Sequence, residues 1–311
     1  MGKFVIRRVA QAILVIITAM LLIFLALFAL GDPFASSGDK TVPPDTQTAL
    51  RAKFGLDKPL PLQFLVYLKN MFTGDFGIDF DQRRQVSEML GNAIPATVRL
   101  TAVAILLDIM IGVLAGIIAA VWRYSFWDVL VTLLTTFAIG IPVFVIGLSL
   151  RANVTGELFF PSVPRSAFGE QPFWLIEVLL PAFTLAIVDA AFVARLMRGS
   201  MLEVLRADYI RTARAKGLSE RKVIGKHALR NSIIPVVTYL GIGIGGLLGG
   251  AIITETIFQY PGVGLLLYKS ILNNNNPVIM AITAFGVIVF VVISLIIDIL
   301  YAYLDPRIRL S

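Results

Sequence analysis

Cysteine is absent from the 311 residues, and histidine occurs once, as His227. The first absence removes disulfides, cysteine-based zinc sites, iron–sulfur clusters and thiol nucleophiles. The second leaves no Ser-His-Asp constellation and no multi-histidine metal site to assemble from this chain alone. Charge is also scarce, at 15% Asp, Glu, Lys and Arg, where a soluble domain carries about 25%. What is present is apolar: 57% of residues are hydrophobic and the mean hydropathy is +0.84. An ordinary soluble globule, a disordered chain and a disulfide scaffold are all excluded. The formal charge of +7 raises nucleic acid as a partner, and where the charges lie decides that question.

About 20 residues of helix cross a bilayer core. Uninterrupted apolar windows fall at 10–30, 100–122 (with Asp108), 129–150, 175–194 (with Glu177 and Asp189), 233–254 and 278–304 (with Asp298). Six spans are expected. The first is expected to be a retained span, since its 21 apolar residues exceed a signal-peptide core and Gly31-Asp32-Pro33 is a poor cleavage site. Lys and Arg collect on the inner side of a membrane. The segment 195–232 holds ten basic and three acidic residues, whereas 31–97 holds seven basic and eight acidic. The N-terminal Lys3, Arg7 and Arg8 agree with 195–232, so both termini are expected to be cytoplasmic. The basic excess is thus a topology signal, and no nucleic-acid partner is expected.

Pro142, Pro181 and Pro235 lie within spans, where neighbouring helices must cover the lost hydrogen bond. The fifth span is rich in glycine, and Gly241/Gly245, Gly245/Gly249 and Gly246/Gly250 have the small-xxx-small spacing of close helix packing. A nucleotide-binding loop is the rival reading; no Lys-Ser/Thr follows and no strand precedes, so Gly245 and Gly249 read as packing or pathway positions. Within 31–97, Leu62 to Phe72 reads as an amphipathic helix with Phe64, Leu65, Leu68 and Phe72 on one side. It is expected either on the membrane surface or against the spans. Acidic residues in spans are costly and mark function by default. Asp108, Asp189, Glu255 and Asp298 are therefore pathway or packing candidates, with Arg195 a possible partner of Asp189. An intramembrane aspartyl protease is the enzymatic rival, but no Tyr-Asp or Gly-x-Gly-Asp setting surrounds these residues.

The inner segment is the most informative stretch. In Asp208-Tyr209-Ile210-Arg211-Thr212-Ala213-Arg214-Ala215-Lys216-Gly217-Leu218, Asp208 can cap a helix with Tyr209, Ala213 and Lys216 on one face, and Gly217 can end it. A second helix opens at Ser219. A solvated basic loop is the bland reading; ordered capping and a small, flat surface favour docking into a groove of a cytoplasmic partner.

That run, with His227-Ala228-Leu229-Arg230-Asn231 and Ile234-Pro235-Val236, resembles the inner-loop signature of bacterial ABC-importer permeases. It is most similar to the first permease subunit of the dipeptide/oligopeptide branch. Arg211-Thr212-Ala213 stands where the general form has Glu-Ala-Ala, and His227 and Arg230 stand where it has Ile and its final Pro. The likeness extends in order along the chain: Gly31-Asp32-Pro33, Phe54-Gly55-Leu56-Asp57-Lys58-Pro59, Gly74-Asp75-Phe76-Gly77, Pro95-Ala96-Thr97, Ile141-Pro142-Val143-Phe144, Leu180-Pro181-Ala182, Glu255 to Gly264, and Leu304-Asp305-Pro306-Arg307. Asn273 to Asn276 departs from the family pattern; a hydrated tip is the expectation there.

The resemblance implies an all-α membrane protein with six transmembrane helices of the type I ABC importer permease kind, in the bacterial inner membrane. Its parts are a tail and first span (1–30), an extracytoplasmic loop with an amphipathic helix (31–97), a permease core with the coupling loop 195–232 (98–304), and a cytoplasmic tail (305–311). Implied partners are a second permease, two cytoplasmic ATPase subunits and an extracytoplasmic substrate-binding protein. ATP and Mg would sit on the ATPases; no cofactor, metal or catalytic residue is expected here, and the chain lacks a Gly-x4-Gly-Lys-Ser/Thr loop. Asp208 to Gly217, with His227 and Arg230, would couple to the ATPases. Di- or oligopeptides are the implied cargo; nickel, glutathione or a glycoside are alternatives within the same machine. A secondary transporter would predict an internal repeat, and none is evident.

Overall fold

In the computed structural model, residues 2–26, 55–79, 84–154 and 174–304 are described, with 48, 51–52 and 164. Gly31-Asp32-Pro33 and the 305–311 tail lie outside them. The described residues are helical almost throughout. In chain order the helices are α1 (Gly2–Phe24), α2 (Leu60–Thr73), α3 (Val86–Val121), α4 (Phe126–Gly140), α5 (Val143–Val154), α6 (Trp174–Val204) and α7 (Asp208–Ala215). Next, α8 starts at Glu220–Lys222, widens to a π-helix over Val223–Ala228 and resumes at Leu229–Ser232. Then come α9 (Ile234–Phe258), α10 (Val263–Leu272) and α11 (Asn276–Leu304).

Among the described residues, four helical segments are long and apolar enough to cross a membrane: Phe4–Phe24, Val86–Val121, Trp174–Val204 and Asn276–Ile299. The pair α4 and α5 is a fifth if counted as one broken span. The expected continuous helix over 129–150 is corrected here, because the chain bends by 103° between α4 and α5. The cause is local. Pro142 disfavours helical geometry in the residue before it, and Ile141 adopts φ −99° and ψ 127°. Pro181 lies inside α6 without ending it, and Pro235 occupies the first turn of α9, where proline costs no hydrogen bond.

The chain divides into two compact units. In the first, residues 1–97 and 261–311, α1 packs on α11 and α2 packs on α1. Met20 and Phe24 of α1, Tyr67 and Met71 of α2, and Met280 and Ala284 of α11 form one buried cluster. Phe24 lies 5.4 Å from Phe64 and 5.9 Å from Tyr67, ring centre to ring centre. The amphipathic helix therefore packs against spans, by a face rotated from the expected one. Gln63, Tyr67 and Met71 are inside, while Leu65 and Phe72 are exposed. Gln63 can be buried because its side-chain amide donates to the Lys58 carbonyl at 2.7 Å and the Leu56 carbonyl at 3.3 Å. Gly74 closes α2 at φ +74°, a left-handed position that glycine adopts without strain.

In the second unit, residues 98–260, α6 is flanked by α4, α5 and α9. Against α6 also lies α3, and the approach is close. A Cβ on Gly112 would fall 2.6 Å from Val193 Cβ and 2.9 Å from the Ala190 carbonyl oxygen. One on Gly116 would fall 2.6 Å from the Ala194 carbonyl oxygen. Helices in lipid gain little from hydrophobic exclusion and associate through close packing. Gly112 and Gly116, four residues apart, supply that close seam.

Candidate functional site

Two places in the second unit concentrate polar chemistry. The first is the 205–231 hairpin. Gly217 ends the first arm at φ +78°, as expected. Asp208 does not cap it: Ala207 holds the N-cap, and Asp208 is the first helical residue, 3.6 Å from Arg211. Ser219 holds the N-cap of the second arm, its carbonyl accepting the Lys222 and Val223 amides. The hairpin is a packed body. Ile210 and Ala213 enter a buried cluster with Met197 and Met201 of α6, Val223 and Ala228 of α8 and Val236 of α9.

Two polar ties close the hairpin. Arg214 donates to Glu220 at 2.8 and 3.3 Å, and Asn231 donates to the Tyr209 hydroxyl at 2.8 Å. The Glu220 hydrogen bond raises the Arg214 pKa above its usual value. Tyr209, Arg211, Thr212, Arg214, Ala215, Lys216, Gly217 and Arg230 are exposed, and His227 is half-buried within the π-helical turn. The expected face of Tyr209, Ala213 and Lys216 is thus split. Ala213 anchors the hairpin, while Tyr209 and Lys216 look outward.

The second place is a group of acids among the helices. Asp108 is 1% exposed, and its Oδ1 has no hydrogen-bond partner among the described residues. Asp189, half-buried, accepts from the Tyr239 hydroxyl at 3.3 Å. The suggested Asp189–Arg195 pair does not form; Arg195 donates to Thr135 Oγ1 at 3.3 Å and Thr136 Oγ1 at 2.6 Å. Six residues along α6 is one and two-thirds turns, so the two side chains leave different faces. Glu255 is fully buried in α9. In the first unit, Asp298 pairs with Arg8 at 3.1 Å with both side chains partly exposed. Gly245 and Gly249 fall on α9, but their packing lies outside the described residues.

Four features escaped the sequence reading. Gly112 and Gly116 carried the same small-residue spacing as the fifth-span glycines and were overshadowed by them. Arg198 grips Asp128 with two hydrogen bonds of 2.7 and 2.9 Å, and Asp128 also accepts the Tyr124 amide at 2.9 Å. The signal for that clamp was an acid at the start of a span, three residues after Ser125. In the first unit, Asn275 is buried and donates to buried Asp79. The hydrated-tip expectation for 273–276 is corrected at Asn275, because an acid on the 78–85 turn accepts its amide. Val263 N–H donates to Thr97 Oγ1 at 2.8 Å, so two separate motifs meet there.

The residues form no cluster of three or more metal-ligating His, Asp or Glu among those described. They form helical spans, a packed polar hairpin and buried acids, the parts of a membrane permease. Residues 112–310 match the family model described as binding-protein-dependent transport system inner membrane component, and 1–101 match its N-terminal companion. The chain belongs to this family, the permeases of ABC importers, in the peptide-transport branch.

Among its relatives is the glutathione transport system permease protein GsiC of Escherichia coli K12, 37% identical over 99% of both chains. Another is the oligopeptide transport system permease protein OppB of Haemophilus influenzae, 35% identical over 99% of this chain and all of that one. A putative peptide transport system permease of Brucella abortus is 36% identical over 99% of both. A methionine ABC transporter structure, MetNI in an inward-facing conformation, shares the fold with a TM-score of 0.54 at 17% identity, over 70% of this chain and 94% of that one. The protein is accordingly a multi-pass inner-membrane protein of a bacterium, and its family consists of transport subunits rather than enzymes.

Proposed function

We propose that this chain forms half of the translocation pathway of an ATP-driven importer of di- or oligopeptides. It would cross the membrane six times, with α4 and α5 counted as one bent crossing and both termini cytoplasmic. The proposed parts are the first span with its tail (1–30), an outer loop (31–97), the core (98–304) and an inner tail (305–311). Two ATPases carrying ATP and Mg, a second permease and a substrate-binding protein complete the machine.

Coupling falls to the hairpin. Asp208 to Gly217, with His227 and Arg230, is the handle an ATPase subunit grips. One observation carries this: an exposed basic helix whose opposite side, Ile210 and Ala213, is rooted among α6, α8 and α9. A push on Tyr209 or Lys216 reaches the α6 and α9 spans through packed side chains, which resist deformation. Closure of the ATPases would then tilt those helices and open the pathway outward; hydrolysis would reset it.

The test is ATP-dependent uptake by the assembled complex in proteoliposomes. Gly217→Pro cannot hold φ +78°, so it breaks the hairpin between its arms. Uptake should fall to background while the chain still inserts in the membrane; ATP-dependent uptake at the wild-type rate would refute the coupling role. Glutathione is a second cargo reading, favoured by the relative named for it. A competition assay between labelled dialanine and glutathione on the binding protein separates the two.

A further inference from the structure

Asp108 and Asp189 take no part in the hairpin, and their surroundings define a ligand chemistry. Asp108 sits one helical turn before Gly112, on the side of α3 that the Gly112–Gly116 seam presses against α6. Asp189 precedes Ala190, whose carbonyl oxygen lies 2.9 Å from the place a Gly112 Cβ would take. The seam therefore brings the two carboxylates toward each other: Asp189 acts electrostatically on Asp108, and both act on Tyr239. Asp108 is the deeper, with its Oδ1 unpartnered. Asp189 and Tyr239 are half-buried in front of it. The Tyr239 ring packs 6.3 Å from Phe192, centre to centre, and Phe192 is 43% exposed. The result is an acidic notch rimmed by the Tyr239 and Phe192 rings.

Two carboxylates at membrane depth demand a positive partner. The basic residues that follow on α6 are turned elsewhere, Arg195 to Thr135 and Thr136, Arg198 to Asp128. We infer that Asp108, Asp189 and Tyr239 form a binding site for a primary ammonium group, the cationic end of a solute in transit. An ammonium has three N–H donors, and the notch offers the two carboxylates and the Tyr239 hydroxyl oxygen as three acceptors. The Tyr239 and Phe192 rings add a cation–π wall. A bare calcium ion would need six to eight oxygen ligands, which this notch lacks. The site rests on the peptide reading above, because a free amino terminus supplies such a group.

The experiment uses the assembled importer in proteoliposomes, with labelled dialanine as probe and saturating binding protein. Asp108→Asn keeps the side-chain shape and removes the charge. Its dialanine uptake should fall about tenfold, and Asp108→Glu should recover part of the loss. Uptake by Asp108→Asn at the wild-type rate overturns the site, since a carboxyl that only holds a proton is replaced by Asn without penalty.

A second measurement leaves the wild-type complex intact and so does not depend on how a variant folds. Phenethylammonium should slow dialanine uptake without displacing dialanine from the binding protein, and phenethyl alcohol should not. Equal effects of the two compounds, or none from either, overturn the proposal. If the wild-type complex imports neither dialanine nor glutathione, the peptide reading itself falls, and the site falls with it.

Discussion

Asp128 and Asp108 are both buried acids on neighbouring helices of the same unit, at 4% and 1% exposure, and they are treated in opposite ways. Asp128 is saturated: Arg198 donates twice, and the Tyr124 amide once. That last contact holds Tyr124 at φ +62°, a left-handed geometry uncommon for a residue with a side chain, in the turn between α3 and α4. The clamp ties the start of α4 to α6. Asp108, one turn from the glycine seam, has Oδ1 left without a partner among the described residues. A satisfied buried acid fixes a structure, and an unsatisfied one is kept for something that comes and goes. The difference separates an acid tied into the architecture from the one the proposed ammonium site uses.

Substitutions sharpen that contrast. Gly116→Ala should have the largest effect on stability, because its Cβ meets a backbone oxygen at 2.6 Å and backbone cannot rotate away. A loss of about 1–3 kcal/mol is expected, read as a lower midpoint of thermal unfolding in detergent; an unchanged midpoint would mean the seam is looser than it looks. Asp128→Ala should cost about 2 kcal/mol by leaving Arg198 without its carboxylate. A double-mutant cycle with Arg198→Ala checks that the loss is shared by the pair, and additive losses would dissolve the clamp. Asp108→Asn, by contrast, should leave the unfolding midpoint in place while lowering uptake. Were both acids to behave alike, the division between architecture and transport would collapse. The smallest effect belongs to the exposed Arg214–Glu220 tie. Glu220→Gln should cost below about 1 kcal/mol and less at high salt, measured by unfolding at two salt concentrations.

The membrane-spanning class was legible because long apolar runs of helix fit a bilayer core, and the hairpin because Gly217 and Ser219 punctuate it. The bend at Pro142 was only half legible. Proline announced an irregularity, yet Pro181 in α6 carries the same letter without ending the helix, so the letter alone does not fix the outcome. Apolar character predicts only part of the α2 face: Phe64 and Leu68 pack on the buried cluster, while Leu65 and Phe72 are exposed. Burial there follows Gln63, which satisfies its amide on the turn at Leu56 and Lys58, and Tyr67, which packs at a tilt against Phe24. The acid notch was beyond the sequence for a different reason. Asp108, Asp189 and Tyr239 are 81 and 50 residues apart in steps, and only the glycine seam of α3 on α6 brings the first two together. Arg195 misled for want of angular bookkeeping along α6.

The absence of cysteine makes the central claim directly testable. Any single cysteine introduced is the only thiol in the chain, so a crosslink reports one position. Ala215 is exposed on the hairpin, and Phe72 is exposed on α2 in the proposed outer loop. In the assembled transporter, Ala215→Cys with a short bifunctional reagent should crosslink to the ATPase subunit, more strongly when nucleotide is bound, and Phe72→Cys should not. No adduct from Ala215→Cys, or an ATPase adduct from Phe72→Cys, would contradict the hairpin as the handle of the machine.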